Sequence, residues 1–165
     1  MEDNGRMEKR RTYVATAEHC AQLAKLQADF NAEFGSPCPT EQILARRLRG
    51  MLAGPHCYAV LAGPASEPSG HAIVTLRPTI YSDGPLAVLD ELYVRPPLRG
   101  QGIGGAILDH VLRQLAERGG SEMHINVDED DAQARRFYED RGFVNHEPGS
   151  EWRMLLYLQE LPTGP

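Results

Sequence analysis

The chain has little of what several protein classes require. Its three cysteines, Cys20, Cys38 and Cys57, are odd in number, far apart and never arranged C-x-x-C. That is neither a disulfide framework nor a zinc site, and a reducing, cytoplasmic setting is the simplest home. Lysine is scarce too: only two of the seventeen basic residues are lysines, against 23 acidic ones, for a net charge of −6. An acidic balance argues against nucleic acid, which rewards basic faces. It suits a cationic or neutral small substrate, and equally suits mere solubility. No apolar run approaches the length of a membrane span, so no membrane partner is expected. The stretch from Met1 to Arg11 is charged and lacks the apolar core of a signal peptide. The six histidines have no metal-ligand spacing, so no metal site is assigned.

What is present reads as one domain. A chain of 165 residues with 41% hydrophobic and 24% charged residues can close a single core. Residues 1–10 read as a loose tail, 11–160 as the domain and 161–165 as a second tail. Tyr13–Ala17 is a short first strand. A helix follows from about Glu18 to Phe34, with Leu23, Leu26, Phe30 and Phe34 at helical spacing. Thr40 reads as the N-cap of a second helix, which carries Ile43, Leu44, Arg47, Leu48, Met51 and Leu52 and ends at Gly54-Pro55. Cys57–Leu61 and His71–Leu76 flank a run of turn residues and form a hairpin. Leu86–Val94 is the fourth strand. A third helix carries Ile107, Leu108, Val111, Leu112 and Leu115 and stops at Gly119-Gly120. Met123–Val127 is a fifth strand, parallel to the fourth by a right-handed crossover. A fourth helix, Asp131–Arg141, opens on a capping box of Asp130 and Gln133. Strands at Phe143-Val144 and Trp152–Leu158 close the chain.

The stretch between the fourth strand and the third helix carries the most information. Two prolines stop the strand, and Arg99-Gly100-Gln101-Gly102-Ile103-Gly104-Gly105 leads into the helix. Strand, glycine turn and helix start, in that order, make an anion site. Glycines let the backbone curl close to a ligand, and the free N–H groups of the first helical turn point at it. Arg99 adds a charge matched to phosphate. Gly100 to Gly105 fit the dinucleotide pattern G-x-G-x-x-G, with an acid about the right distance on at Asp128 to Asp131. Yet that fingerprint follows the first strand of its fold, and here four strands precede it. A P-loop needs a lysine after the glycines, and none follows.

Arg99-Gly100-Gln101-Gly102-Ile103-Gly104 resembles the R-x-x-G-x-G signature of the GNAT superfamily of N-acetyltransferases, including the preceding Leu92-Tyr93-Val94-Arg95-Pro96. Downstream, Asn126 and then Ala134-Arg135-Arg136-Phe137-Tyr138-Glu139-Asp140-Arg141-Gly142-Phe143 are similar to the family's asparagine and its A-x-x-F-Y-x-x-x-G-F motif. The order of elements agrees from about Thr12 to Leu158. The resemblance implies an α/β (mixed α+β) fold. Its mixed, mostly antiparallel sheet would be splayed between strands four and five and flanked by about four helices. It implies acetyl-CoA as co-substrate, its pantetheine arm paired with Leu92 and Val94, around Tyr93, as an added strand. The pyrophosphate would lie on the N–H groups from Arg99 to Gly105, and Asn126 would hydrogen-bond cofactor or substrate.

Acetyl transfer to an amine needs a group to take a proton from an ammonium, whose pKa is near about 10. Asp90 and Glu91 are the candidates on the strand beside the thioester. Strand alternation puts them on opposite faces unless a bulge intervenes. The resemblance favours Asp90, four residues before Val94; Glu91 has the longer reach, and both are kept. An N–H near Leu92 would hold the thioester oxygen. Tyr138 would donate a proton to the departing thiolate. The arginines Arg46, Arg47 and Arg49 read as a solvated helix face. Asp29 and Glu33, one helical turn apart, either face a cationic acceptor or simply face solvent. The layout around Leu89–Val94 and Glu151-Trp152-Arg153 is similar to that of diamine acetyltransferases. A small amine such as a polyamine is therefore the expected acceptor, with peptide amines, aminoglycosides and amino acids open, as is a homodimer. The alternatives are a non-catalytic acyl-CoA-binding module on the same fold and a nucleotide-binding dehydrogenase.

Overall fold

The computed structural model describes residues 2–161. Its elements run α1 (Glu2–Arg10), β1 (Thr12–Val14), α2 (Cys20–Glu33), α3 (Glu41–Leu52), β2 (Cys57–Ala62), β3 (Gly70–Arg77), β4 (Leu86–Val94), α4 (Ile103–Glu117), β5 (Glu122–Ile125) and α5 (Ala132–Glu139). Short 3-10 turns at Ala17–His19 and Pro96–Leu98 precede α2 and the glycine loop. The chain forms two compact units, one reaching Ile125 and one starting at Asn126.

In the first unit the five strands lie in sequence order. The pairs β1–β2, β2–β3 and β3–β4 are antiparallel, and β4–β5 is parallel. This is the mixed, mostly antiparallel sheet expected. The splay is there as well: Leu86–Leu89 pair with Glu122–Ile125, and from Asp90 to Val94 strand β4 has no partner on the β5 side among the described residues.

Helices α2 and α3 cover one face of the sheet. Leu23, Ala24 and Leu26 of α2 and Leu48 of α3 pack with Ala59, Leu61, Ile73 and Tyr93. Each fully buried leucine there contributes roughly 1.5–3 kcal/mol. Thr40 caps α3 as expected, its hydroxyl accepting from the Ile43 N–H at 3.4 Å. Helix α4 covers the other face, and the Tyr58 hydroxyl crosses from β2 to donate to the Val111 carbonyl at 2.9 Å. Its buried stripe is Ile103, Ile107, Leu108, Val111 and Leu115. Leu112, expected in that stripe, is 37% exposed and Ile103 completes it instead. Phe34 likewise stands 58% exposed, because α2 ends at Glu33.

Residues expected as a loose N-terminal tail form α1, with Lys9 and Arg10 in its last turn, where positive charge suits the helix dipole. The C-terminal tail lies, except for Leu161, outside the described residues. In the second unit, Asp131 rather than Asp130 caps α5, its carboxylate accepting from the Ala134 N–H at 2.8 Å. The two strands expected after that helix are absent among the described residues; a single antiparallel bridge, His146 with Arg153, stands in their place. Pro148 and Gly149 leave too little regular chain on one side of that bridge to extend a ladder.

Candidate active site

Two consecutive carboxylates mark the unpaired end of β4. Ile73 lies opposite Glu91 and Val74 opposite Leu89, so Asp90 is the extra residue of a β-bulge. The bulge cancels one step of strand alternation. Asp90 and Glu91 therefore both turn to the face covered by α2 and α3, where alternation alone would have separated them. Their surroundings agree. Glu91 stands beside Gln27 of α2, and Asp90 stands beside Thr75, the cross-strand partner of Cys57. Both carboxyls titrate above the ordinary carboxylate range, chiefly because protein atoms replace water around them. Hydrogen bonding from Thr75 and from Gln27 pulls each part of the way back, and the charge of Asp90 raises Glu91 further. Cys57 is pushed up to about 11 by burial and by Asp90, which leaves it an inert thiol.

Strand β4 ends at Arg95-Pro96-Pro97, and the glycine loop follows. Gly100 and Gly102 hold φ of 73° and 80°, left-handed conformations that favour glycine. None of the N–H groups from Gly100 to Gly105 donates to a main-chain carbonyl among the described residues; the N–H of Arg99 is taken by Pro96 at 3.2 Å. A run of free donors at the start of a fifteen-residue helix is suited to a polyphosphate.

Arg99 does not face that loop. Its Nη1 and Nη2 each donate to a Glu33 carboxylate oxygen at 2.7 Å, and its Nε donates to the Val94 carbonyl at 2.9 Å. A different arginine stands at the glycines. The Arg10 guanidinium of α1 lies so near Gly102 that a Cβ built there would be 3.3 Å from its central carbon. The sequence gives one faint sign of this, the basic run Lys9-Arg10-Arg11 closing a charged N-terminal stretch, and that stretch has none of the apolar periodicity that marks a packed helix.

Tyr93 is buried, with Phe30 edge-on at 5.7 Å and His71 at 6.1 Å, so only its backbone is available to a ligand. Leu92 and Val94 lie half-buried opposite Ala72 and Gly70. Of the two acids considered for a cationic acceptor, Glu33 is engaged by Arg99 and Asp29 lies 4.0 Å from Lys25. Asp90 and Glu91 remain as the carboxylates of this face without a cationic partner among the described residues. Arg46, Arg47 and Arg49 are exposed, as expected.

In the second unit, Asn126 is exposed and Tyr138 is half-buried. The Tyr138 ring meets Phe137 at 5.0 Å and Phe143 at 5.7 Å, both near-perpendicular. Burial, with help from the charge of Asp131, pushes its hydroxyl up to about 12, so it keeps its proton at any physiological pH.

The comparisons with known proteins agree with this layout. The acetyltransferase (GNAT) family model matches residues 22–143. The crystal structure of a candidate acetyltransferase from Arthrobacter sp. FB24 is 45% identical, covers 92% of this chain and 96% of its own, and superposes with a TM-score of 0.85. An aminoglycoside acetyltransferase from an uncultured soil metagenomic sample, in complex with sisomicin, shares the fold at 20% identity, with the same coverage of 92% and 96% and a TM-score of 0.75. A ribosomal-protein-alanine N-acetyltransferase from Brucella melitensis biovar Abortus 2308 does so at 19% identity, covering 92% of this chain and 99% of its own, with a TM-score of 0.72. No curated protein matches significantly. The chain belongs to the GNAT acetyltransferase family and is an enzyme of the N-acetyltransferase class. Among the described residues no helix is long and apolar enough to cross a membrane.

Proposed function

We propose that the protein transfers the acetyl group of acetyl-CoA to a primary amine by direct attack within a ternary complex. The observation that carries this reading is the run of free N–H groups from Gly100 to Gly105 following an unpaired strand edge that begins at two adjacent carboxylates, Asp90 and Glu91. The residues fit the co-substrate. The loop donors, with Arg10 beside Gly102, suit its pyrophosphate, and the open edge of β4 around Leu92 and Val94 suits an amide-bearing arm added as a strand. Acetyl-CoA supplies an activated thioester; the chain's own groups do the rest.

Asp90 and Glu91 bind the ammonium and take its proton, directly or through water. Their raised pKa values bring them closer to the pH at which a base works well. Tyr138, protonated at all working pH values, hydrogen-bonds the departing thiolate and passes it a proton only as the proton released by the amine replaces its own, so that no tyrosinate is left. Asn126 serves as a hydrogen-bonding partner for co-substrate or acceptor. A small, cationic amine such as a polyamine is the favoured acceptor. The support is two carboxylates on one face with no cationic partner among the described residues.

Thiol release from acetyl-CoA across a panel of polyamines, aminoglycosides, amino acids and peptide amines tests the reading. Amine-dependent release that falls in Tyr138→Phe and Asp90→Asn supports it. Tight acetyl-CoA binding without release for any amine would instead indicate a binding module.

A further inference from the structure

The glycine loop follows Val94, and the other end of β4, at Pro85, borders a cavity of about 630 Å3. That volume suits a small molecule, whose sites span about 300–1,000 Å3. The cavity is not part of the site described above: none of Asp90, Glu91, Leu92, Val94 or the glycine-loop residues lines it.

The fold brings two arginines to it. Arg77 closes β3 opposite Leu86, the first residue of β4. Arg118 is the C-cap of α4, and the glycines behind it lock on to the start of β4. A Cβ at Gly84 would collide with the Gly119 carbonyl, and one at Gly120 would come within 2.7 Å of the Pro85 carbonyl oxygen. This close backbone contact keeps Arg118 beside the strand end that Arg77 adjoins. Arg118 is fixed further by Nη1, which donates to the Gln114 carbonyl at 2.8 Å, and by its guanidinium, which lies over the Tyr58 ring at 4.5 Å.

Neither arginine forms an ion pair among the described residues. Asp83, the one acid lining the cavity, pairs with neither. Acidic residues outnumber basic ones, 23 to 17, so a shortage of partners in the chain does not explain this. Two like charges at one cavity repel, and a bound anion relieves them. The rest of the lining decides what kind of anion. Val14, Ala15, Leu52 and Leu76 offer apolar surface, which rewards a hydrocarbon body and which inorganic phosphate would leave wet. A guanidinium is a planar fork that matches a carboxylate.

We propose that this cavity is a second binding site, for a small amphiphilic carboxylic acid. Its carboxylate lies on Arg77 and Arg118, and its hydrocarbon body lies against Val14, Ala15, Leu52 and Leu76. The site stands at the opposite end of β4 from the seat of the co-substrate and is independent of the acetyl-transfer reading.

The test follows backbone amide resonances of the full-length protein while hydrocinnamate is added, with hydrocinnamyl alcohol and inorganic phosphate as controls. Saturable shifts are expected from hydrocinnamate at Arg77, Gly84 and Gly119, with Gly100 to Gly105 unmoved. Arg77→Gln and Arg118→Gln should each weaken its binding by about fivefold, the loss of one exposed charge contact. Arg77 is exposed at a strand end, so its variant keeps the fold even where Arg118→Gln loosens the end of α4. Alcohol binding as tightly as the acid would overturn the role of the arginines. Phosphate binding as tightly would overturn the assignment to an amphiphilic acid. No shifts around the cavity at millimolar hydrocinnamate, or shifts confined to the glycine loop, would overturn the site itself. A protein inactive toward every amine would strike the acetyl-transfer reading and leave these shifts in place.

Discussion

Arg99 and Glu33 form a two-pronged ion pair, each guanidinium nitrogen 2.7 Å from its own carboxylate oxygen, tying the last turn of α2 to the entry of the glycine loop. The pair is partly exposed, 36% and 29%, so solvent screening limits it to about 1 kcal/mol. A double-mutant cycle of Arg99→Gln and Glu33→Gln, read by urea unfolding, should give a coupling of that size that shrinks in high salt. Because Arg99 is committed to Glu33, Arg10→Gln should weaken acetyl-CoA binding more than Arg99→Gln does, by roughly fivefold if one exposed phosphate contact is lost. Calorimetric titration of both variants checks the order, and the reverse order would return the phosphate to Arg99.

Gly102→Ala should damage the loop twice. An L residue at φ 80° is strained by about 1–2 kcal/mol, and its Cβ would press on the Arg10 guanidinium at 3.3 Å. Gly100→Ala meets no neighbour within 4 Å and carries only the backbone strain. Thermal unfolding should therefore find both variants less stable, and acetyl-CoA titration should find Gly102→Ala the poorer binder.

Acid should destabilise the fold through His71. Its folded pKa of about 4 lies below the unfolded value of about 6.5, so between them the unfolded chain binds more protons. The stability is fully present above about pH 6.5 and is lost as the pH falls toward 4, by up to about 3 kcal/mol. Asp90 and Glu91, raised rather than lowered, act with the opposite sign and soften the slope. Urea unfolding at pH 7 and pH 4.5 measures the difference, and the slope should flatten in His71→Gln. Equal stability at the two pH values would contradict a neutral, buried ring.

Tyr138→Phe keeps the packing against Phe137 and Phe143 and removes only the hydroxyl. On the proposed mechanism kcat falls by about 10²-fold while acetyl-CoA affinity is retained. Since the hydroxyl titrates near 12, wild-type kcat should show no basic limb from Tyr138 below about pH 10.

Most of the first unit was legible from apolar periodicity and glycine punctuation. The hairpin of the second and third strands, the parallel fifth strand, the Thr40 cap and the glycine loop follow from local pattern, and the mixed, mostly antiparallel sheet from the family resemblance. What escaped the sequence depends on contacts between distant residues. The bulge at Asp90 arises from a register shift against β3, and nothing in Leu86–Val94 alone specifies it. Arg99 was expected at the phosphate because it adjoins the glycines, yet Glu33, 66 residues away, captures it. Gln27 sits at a helical position that pattern reading treats as interchangeable with any polar residue; only the fold shows it buried against His71. Helix α1 was missed because its charged sequence shows no apolar stripe.

The seat of the co-substrate is tested most directly by following backbone amide resonances while acetyl-CoA is added to the full-length protein. The expected result is saturable shifts concentrated at Gly100 to Gly105 and at Leu92 to Val94, absent when NAD is added instead. Shifts confined to other residues, or none at concentrations that saturate binding, would contradict a pyrophosphate seat on the free N–H groups of the loop.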